Sequence, residues 1–236
     1  MPEAESHRVS LARAATGGRD LVGMAVRYLQ DCDEVGLLSE LRAHWTLEEL
    51  VSLLHSSSDD TVKVAATCLG MVGSYGCCPA LAATLHHADS VVVSVAELAL
   101  WQIWFRSGPP DACGELHHAA RLMAEDRYDA AVAALDGVIA AAPEYAEAYN
   151  QRAIAGYLDE RFPQAAADCR QAVRLNPTHF AALAGLGHCF AQLGRYRDAL
   201  GAYRGALRIH PRMAGVRQSI RQIRSVLGGH DGVPAR

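Results

Sequence analysis

Apolar positions in the second half of this 236-residue chain recur at one fixed interval. Ala131, Ala165 and Ala199 form one column, and Pro143, Pro177 and Pro211 another with the same spacing. A third holds Arg127, Arg161 and Arg195, each followed by an aromatic residue: Tyr128, Phe162 and Tyr196. Three columns in one register define a repeat built from a supersecondary unit. The pattern predicts helix–turn–helix. The small Ala lies where two helices cross, and the aromatic three positions earlier fills the turn. The Pro ends the second helix because it cannot extend one and restricts the residue before it. No single pair buries its apolar face alone, so the pairs must stack.

The first half carries a second, shorter recurrence. Leu54, Val62, Ala65 and Leu69 return as Leu85, Val93, Ala96 and Leu100. Upstream, Leu21, Met24, Tyr28 and Leu29 have helical spacing. Thr46-Leu47-Glu48-Glu49 is a capping box that opens a helix. Asp59-Asp60 and Asp89-Ser90 supply N-caps for the next two long helices. Ser107-Gly108-Pro109-Pro110 reads as a linker. Beyond the third repeat, Val216, Ile220, Ile223 and Leu227 form one more apolar stripe.

The units of the second half resemble the tetratricopeptide repeat (TPR) family. The third matches most fully, through Leu183, Leu186-Gly187, Phe190, Ala199, Tyr203, Ala206 and Pro211. The second offers Tyr149, Ala165, Ala172 and Pro177, but has Arg152 and Cys169 where Leu and an aromatic are usual. The first keeps Ala131, Leu135 and Pro143, with Glu115 and His118 departing from the pattern. The segment 62–70 is similar to the core of a short bacterial HEAT-like repeat, whose helix pairs also stack. The expected fold is therefore all-α. It is an α-solenoid of HEAT-like repeats over 20–106, a linker at 107–111, three TPR units over 112–213 and a capping helix over 213–227. Residues 1–19 and 228–236 are expected to be loose ends.

Composition narrows the function. Half the residues are apolar and a fifth are charged, enough for a sizeable core. No stretch reaches the roughly 18 apolar residues of a membrane span. The N-terminal segment lacks the apolar core of a signal peptide. The seven cysteines are odd in number and scattered. They read as reduced thiols of a cytoplasmic protein. The net charge of −4 argues against a general nucleic-acid binder. It divides unevenly: residues 195–236 carry nine Arg and two Asp, or +7, leaving −11 for the remainder.

Enzyme-like features do not assemble. The chain lacks G-x-S-x-G, His-Glu-x-x-His and a phosphate-binding G-x-x-x-x-G-K. Cys77-Cys78, His86-His87, Cys113 and His117-His118 suggest a metal site. Residues 79–87, however, read as one helix about 13 Å long, too long for both pairs to reach one ion at about 2 Å. The chain is expected to carry no catalytic site, metal or cofactor. Trp101 and Trp104 share one helix face, which reads as core packing rather than a partner's anchor.

The TPR resemblance implies a concave groove lined by the first helix of each pair. By position it would hold Leu116 and Met123 from the first unit, Asn150, Ile154, Tyr157 and Leu158 from the second, and His188 and Gln192 from the third. One TPR class grips a C-terminal carboxylate with Lys, Asn and Arg. Here those positions hold Leu116, Ala120, Gln151, Ala181 and Gly185, so that mode is not expected. The groove suits an extended or helical protein segment with apolar anchors. The leading function is a protein-interaction module or scaffold. An alternative uses Arg217, Arg221 and Arg224, on one face of the capping helix, to bind nucleic acid or an acidic partner. A remote alternative, by analogy with HEAT-like phycobilin lyases, is an enzyme accessory.

Overall fold

A computed structural model describes residues 20–230, so the predicted loose end at 1–19 and residues 231–236 of the one predicted at 228–236 lie outside the described residues, while 228–230 are helical. Every regular element among the described residues is helical. In order they are α1 (Leu21–Gln30), α2 (Glu34–His44), α3 (Leu47–Leu53), α4 (Asp59–Val72), a 3₁₀ turn (Tyr75–Cys77), α5 (Cys78–Thr84) and α6 (Ser90–Arg106). There follow α7 (Pro110–Ala124), α8 (Tyr128–Ala141), α9 (Ala146–Leu158), α10 (Phe162–Leu175), α11 (Phe180–Gln192), α12 (Tyr196–Ile209) and α13 (Ala214–His230). The described residues divide into two compact units, 20–104 and 105–230.

In the first unit the shorter recurrence is a recurrence of burial. Leu54, Val62, Ala65 and Leu69 are buried, as are Leu85, Val93, Ala96 and Leu100. α4 packs against α1, α2 and α3. Helix starts follow side-chain chemistry. Thr46 Oγ1 accepts the Glu49 N–H at 3.1 Å, and Glu49 Oε2 accepts the Thr46 N–H at 2.8 Å, completing the capping box. α4 is capped by Ser58 rather than by Asp59-Asp60, because Ser58 Oγ accepts the Thr61 N–H and the two acids occupy the first turn. There they favour the positive end of the helix dipole. Asp89 caps α6 by accepting the Val91 N–H at 2.7 Å. Trp104 is fully buried, and Trp101 meets it edge-on at 5.2 Å.

In the second unit α7/α8, α9/α10 and α11/α12 are the three helix pairs, and α13 packs on α12. The columns hold. Ala131, Ala165 and Ala199 are at most 1% exposed, so each pair crosses on a methyl group. The column Leu135, Cys169 and Tyr203 is also buried. Each second helix ends just before its Pro, at Ala141, Leu175 and Ile209. The first helices all close in one way, on a residue with positive φ: Asp126 (56°), Glu160 (56°) and Gly194 (69°). The Arg127, Arg161 and Arg195 N–H groups reach back to the Leu122, Gly156 and Phe190 carbonyls. The three positive-φ residues bond Met123, Tyr157 and Ala191. This pair of 6→1 and 5→2 bonds is the Schellman closure, here present in every repeat.

The expected linker is shorter than 107–111, because Pro110 is the first residue of α7, where its missing N–H costs nothing. The segment is tied to the second unit. Tyr145 Oη donates to the Phe105 carbonyl at 2.6 Å, and its ring lies where a Cβ on Gly108 would sit, 2.5 Å away. The capping helix runs past the expected Leu227 to His230. Val216, Ile220 and Ile223 are buried and pack with Phe190, Leu200 and Tyr203.

Candidate partner-binding groove

The first helices of the second and third repeats, α9 and α11, flank a cavity of about 260 Å³. It receives five of the predicted groove residues: Asn150, Ile154, Tyr157, Leu158 and His188. Ala181, Ala184, Gly185, Cys169, Cys189 and Met213 also line it. Small residues on α11 are what leave the space open. Ile154 and Leu158 stand one turn apart on α9 and remain 39% and 47% exposed, although they are large and apolar. Gln192 sits beside the cavity, donating from Nε2 to Tyr157 Oη at 3.2 Å. Tyr157 is further fixed by edge-on contact with Phe162 at 5.4 Å.

Two predicted residues are elsewhere. Leu116 is fully buried, packed with Ala112, Ala119, Leu135 and Val138. It occupies the column of Asn150 and Ala184, but its bulk fills the α7/α8 core and leaves nothing for a partner. Met123 is half-buried against the Leu122, Ala131 and Ala155 cluster and does not border the cavity.

The polar groups of the site are positioned from below. His188 Nδ1 and Tyr203 Oη lie 2.8 Å apart, and burial holds the His188 imidazole below its ordinary pKa. In its neutral form the ring takes the Tyr203 O–H proton at Nδ1 and keeps an N–H at Nε2. Asn150, only 3% exposed, donates from Nδ2 to Glu147 Oε1 at 3.0 Å. Gln151 Nε2 donates to the same oxygen at 2.6 Å, and His179 Nε2 meets Glu147 Oε2 at 2.9 Å. Glu147 and His179 are wholly buried. His179 also N-caps α11, its Nδ1 accepting the Ala182 N–H at 3.2 Å. This four-residue network joins the second repeat to the start of the third. Sequence columns missed it because Glu147 and His179 are out of register with the repeat.

The departures from the repeat pattern have physical reasons. Arg152 replaces Leu and bridges two helices. Nε and NH2 donate to Asp168 at 2.8 and 2.6 Å, and NH1 to Asp136 at 2.6 Å. Those bonds hold the guanidinium above its ordinary pKa. Cys169, where an aromatic is usual, abuts Gly185: a Cβ there would stand 3.2 Å from its Sγ.

On α13, Arg217, Arg221 and Arg224 are all exposed, away from the buried stripe. Of the histidines and cysteines weighed as ligands, Cys77 and Cys78 are core residues, and His117 Nδ1 hydrogen-bonds the Cys113 carbonyl at 2.7 Å. Among the described residues no three metal-ligating side chains converge, and no helix is long and apolar enough to cross a membrane.

Comparison with known proteins agrees with this geometry. The tetratricopeptide repeat model matches residues 117–179 and 159–214. A TPR repeat-containing protein of Rhizobium etli is 27% identical over 127 residues, covering 54% of this chain. The chain spans 62% of the length of that relative. Among solved structures, the TPR domain of Sgt2 from Aspergillus fumigatus superposes with a TM-score of 0.52 at 19% identity, covering 55% of this chain and 89% of that one. The first TPR domain of human RPAP3 gives 0.50 at 22% identity, covering 52% and 97%. Both share the fold. The helix pairs spanning residues 117–214 are tetratricopeptide repeats.

Proposed function

We propose that the chain is a protein-interaction module whose groove between α9 and α11 takes an apolar side chain of a partner segment. One observation carries the reading: Ile154 and Leu158 are left 39% and 47% exposed beside a cavity of about 260 Å³ that five predicted groove residues line. Concave sites with apolar walls and a few fixed polar groups are where ligands bind. Tyr157 and His188 supply hydrogen-bonding groups at the wall, and the Glu147 network holds α9 and α11 in register beneath. Capture of a carboxylate tail does not fit. Leu116 is buried, Gln151 is committed to Glu147, and Ala120, Ala181 and Gly185 carry no charge. The reading assigns the chain no catalytic step.

The test is selection of peptides from a random displayed library against the purified chain, followed by calorimetric titration. Ile154→Ala and Tyr157→Ala should each weaken a selected peptide by about 1–4 kcal/mol, tenfold or more in Kd for most of that range. Folded variants that bind like the parent would remove the groove from consideration. A second reading draws on the exposed Arg217, Arg221 and Arg224, which fit an acidic protein or nucleic acid. Their replacement with Gln would then slow association at low salt and matter less as ionic strength rises.

A further inference from the structure

We propose that Cys169 and Cys189 form an oxidisable dithiol in the floor of the groove, a modification site at which a hydroperoxide closes a disulfide between the second and third repeats. Its consequence for binding rests on the groove reading above; its chemistry does not.

Three observations place the pair. Cys169 on α10 and Cys189 on α11 are 2% and 1% exposed, in one cluster with Ala153, Ala165 and Ala166. The two thiols share this cluster and one cavity wall across the α10/α11 interface, close enough for their interaction to raise the pKa of Cys169 and lower that of Cys189. Gly185, one turn before Cys189, lets the helices approach, since any side chain there would press on Cys169 Sγ at 3.2 Å. A disulfide of about 2.05 Å needs Cα atoms within about 7 Å, a requirement that close helix packing favours. Both cysteines also border the groove cavity, which gives a small oxidant a path to otherwise enclosed sulfurs.

The two sulfurs are not equivalent. Their interaction holds Cys169 as the thiol and favours the thiolate at Cys189, with Arg170 adding positive potential. Cys68 and Cys78, by contrast, are pushed up to about 12 and about 11 by burial and stay protonated. Thiolate, not thiol, is the nucleophile. Cys189 Sγ attacks one peroxide oxygen, breaking the O–O bond to give the sulfenic acid and hydroxide. That hydroxide takes up the proton released at Cys189 and leaves as water. Cys169 then gives up its proton and attacks Cys189 Sγ. The S–S bond forms, the S–O bond breaks, and the departing oxygen leaves as the second water. The two thiols lose two electrons, and the peroxide gains them. The product ties α10 to α11 beside His188, on the wall that would receive the partner.

The experiment uses the full chain carrying Cys32→Ser and Cys113→Ser, which removes the exposed and half-buried thiols from intermolecular exchange. The folded protein is treated with hydrogen peroxide, alkylated, digested with trypsin and mapped by mass spectrometry. The expected product joins peptide 162–170 to peptide 175–195, lighter by two hydrogens than the separate peptides. Adding Cys169→Ala should leave a dimedone-reactive sulfenic acid at Cys189, while adding Cys189→Ala should leave Cys169 unmodified. Folding of each variant is checked by circular dichroism. If both thiols remain alkylatable in oxidised, folded protein, or if the linkage forms elsewhere, the dithiol is overturned. A peptide selected on the reduced chain, titrated into both forms, should bind the disulfide form at least several-fold differently. Equal affinity would overturn the regulatory consequence alone, and absence of binding to either form would count against the groove alone.

Discussion

Glu147→Gln is an isosteric change with a calculable penalty. The carboxylate accepts from Asn150 and Gln151 on Oε1, at 3.0 and 2.6 Å, and from His179 on Oε2, at 2.9 Å. Because His179 Nδ1 is occupied by the Ala182 N–H, the ring proton sits on Nε2 and points at Glu147. Every group facing Glu147 is thus a donor, and a carboxylate is the acceptor-only side chain that suits them. A Gln amide must turn its NH₂ toward one side. Facing Asn150 and Gln151, it opposes their amide protons; facing His179, it opposes the Nε2 proton. Switching the His tautomer only moves the clash to the Ala182 N–H. All four side chains are 6% exposed or less, so water cannot rescue the orphaned donor. One unsatisfied buried group costs about 1–3 kcal/mol, against about 0.5 kcal/mol or less for an ordinary surface exchange. With a urea slope of about 1–3 kcal/mol per molar, the unfolding midpoint should fall by on the order of 1 M. Circular dichroism in urea at neutral pH measures this, with Glu144→Gln, at an exposed position, as control. If Glu147→Gln unfolds within about 0.5 kcal/mol of the parent, the range of a surface exchange, the reasoning about donors is wrong.

Three further predictions address the repeat itself. Gly187→Ala would place a Cβ 2.5 Å from Cδ1 and Cε1 of the buried Tyr203 ring, so thermal or urea unfolding should show a loss of about 1–3 kcal/mol. Gly194→Val puts a β-branched residue at φ 69°, and the same assay should register about 1–2 kcal/mol. Burial depresses the His188 pKa below its ordinary value near 6.5, so the unfolded chain binds a proton that the folded one resists. That contribution is complete above about pH 6.5 and is lost as pH falls toward the folded-state value. The parent should lose more stability than His188→Gln as the pH is lowered from neutral to about one unit below 6.5; equal losses would contradict the assignment.

Much of this architecture was legible as columns. Ala131, Ala165 and Ala199 are chemically alike because a helix crossing admits only a small side chain, so their spacing could be read directly. The Schellman column was invisible, since Asp126, Glu160 and Gly194 share a backbone conformation but no side-chain chemistry common to all three. Leu116 shows the limit of positional inference: a column gives the side of the helix, while burial depends on the volume that neighbouring side chains leave. Where α11 offers Ala184 and Gly185 a cavity opens, and where α7 carries Leu116 it closes. The Glu147–His179 pair and the Cys169–Cys189 contact escaped for a different reason. Both join residues that lie close in space through repeat stacking but fall outside the repeat's own period.

The groove can be interrogated at a single atom group. The chain has six isoleucines, and of these Ile154 alone lines the cavity, while Ile220 and Ile223 lie on the buried face of the capping helix. In a sample labelled at Ile δ1 methyls, titration with a library-selected peptide should shift the Ile154 resonance strongly and leave Ile220 and Ile223 in place. Saturating binding that moves other methyls while Ile154 stays fixed would contradict the groove as the binding site.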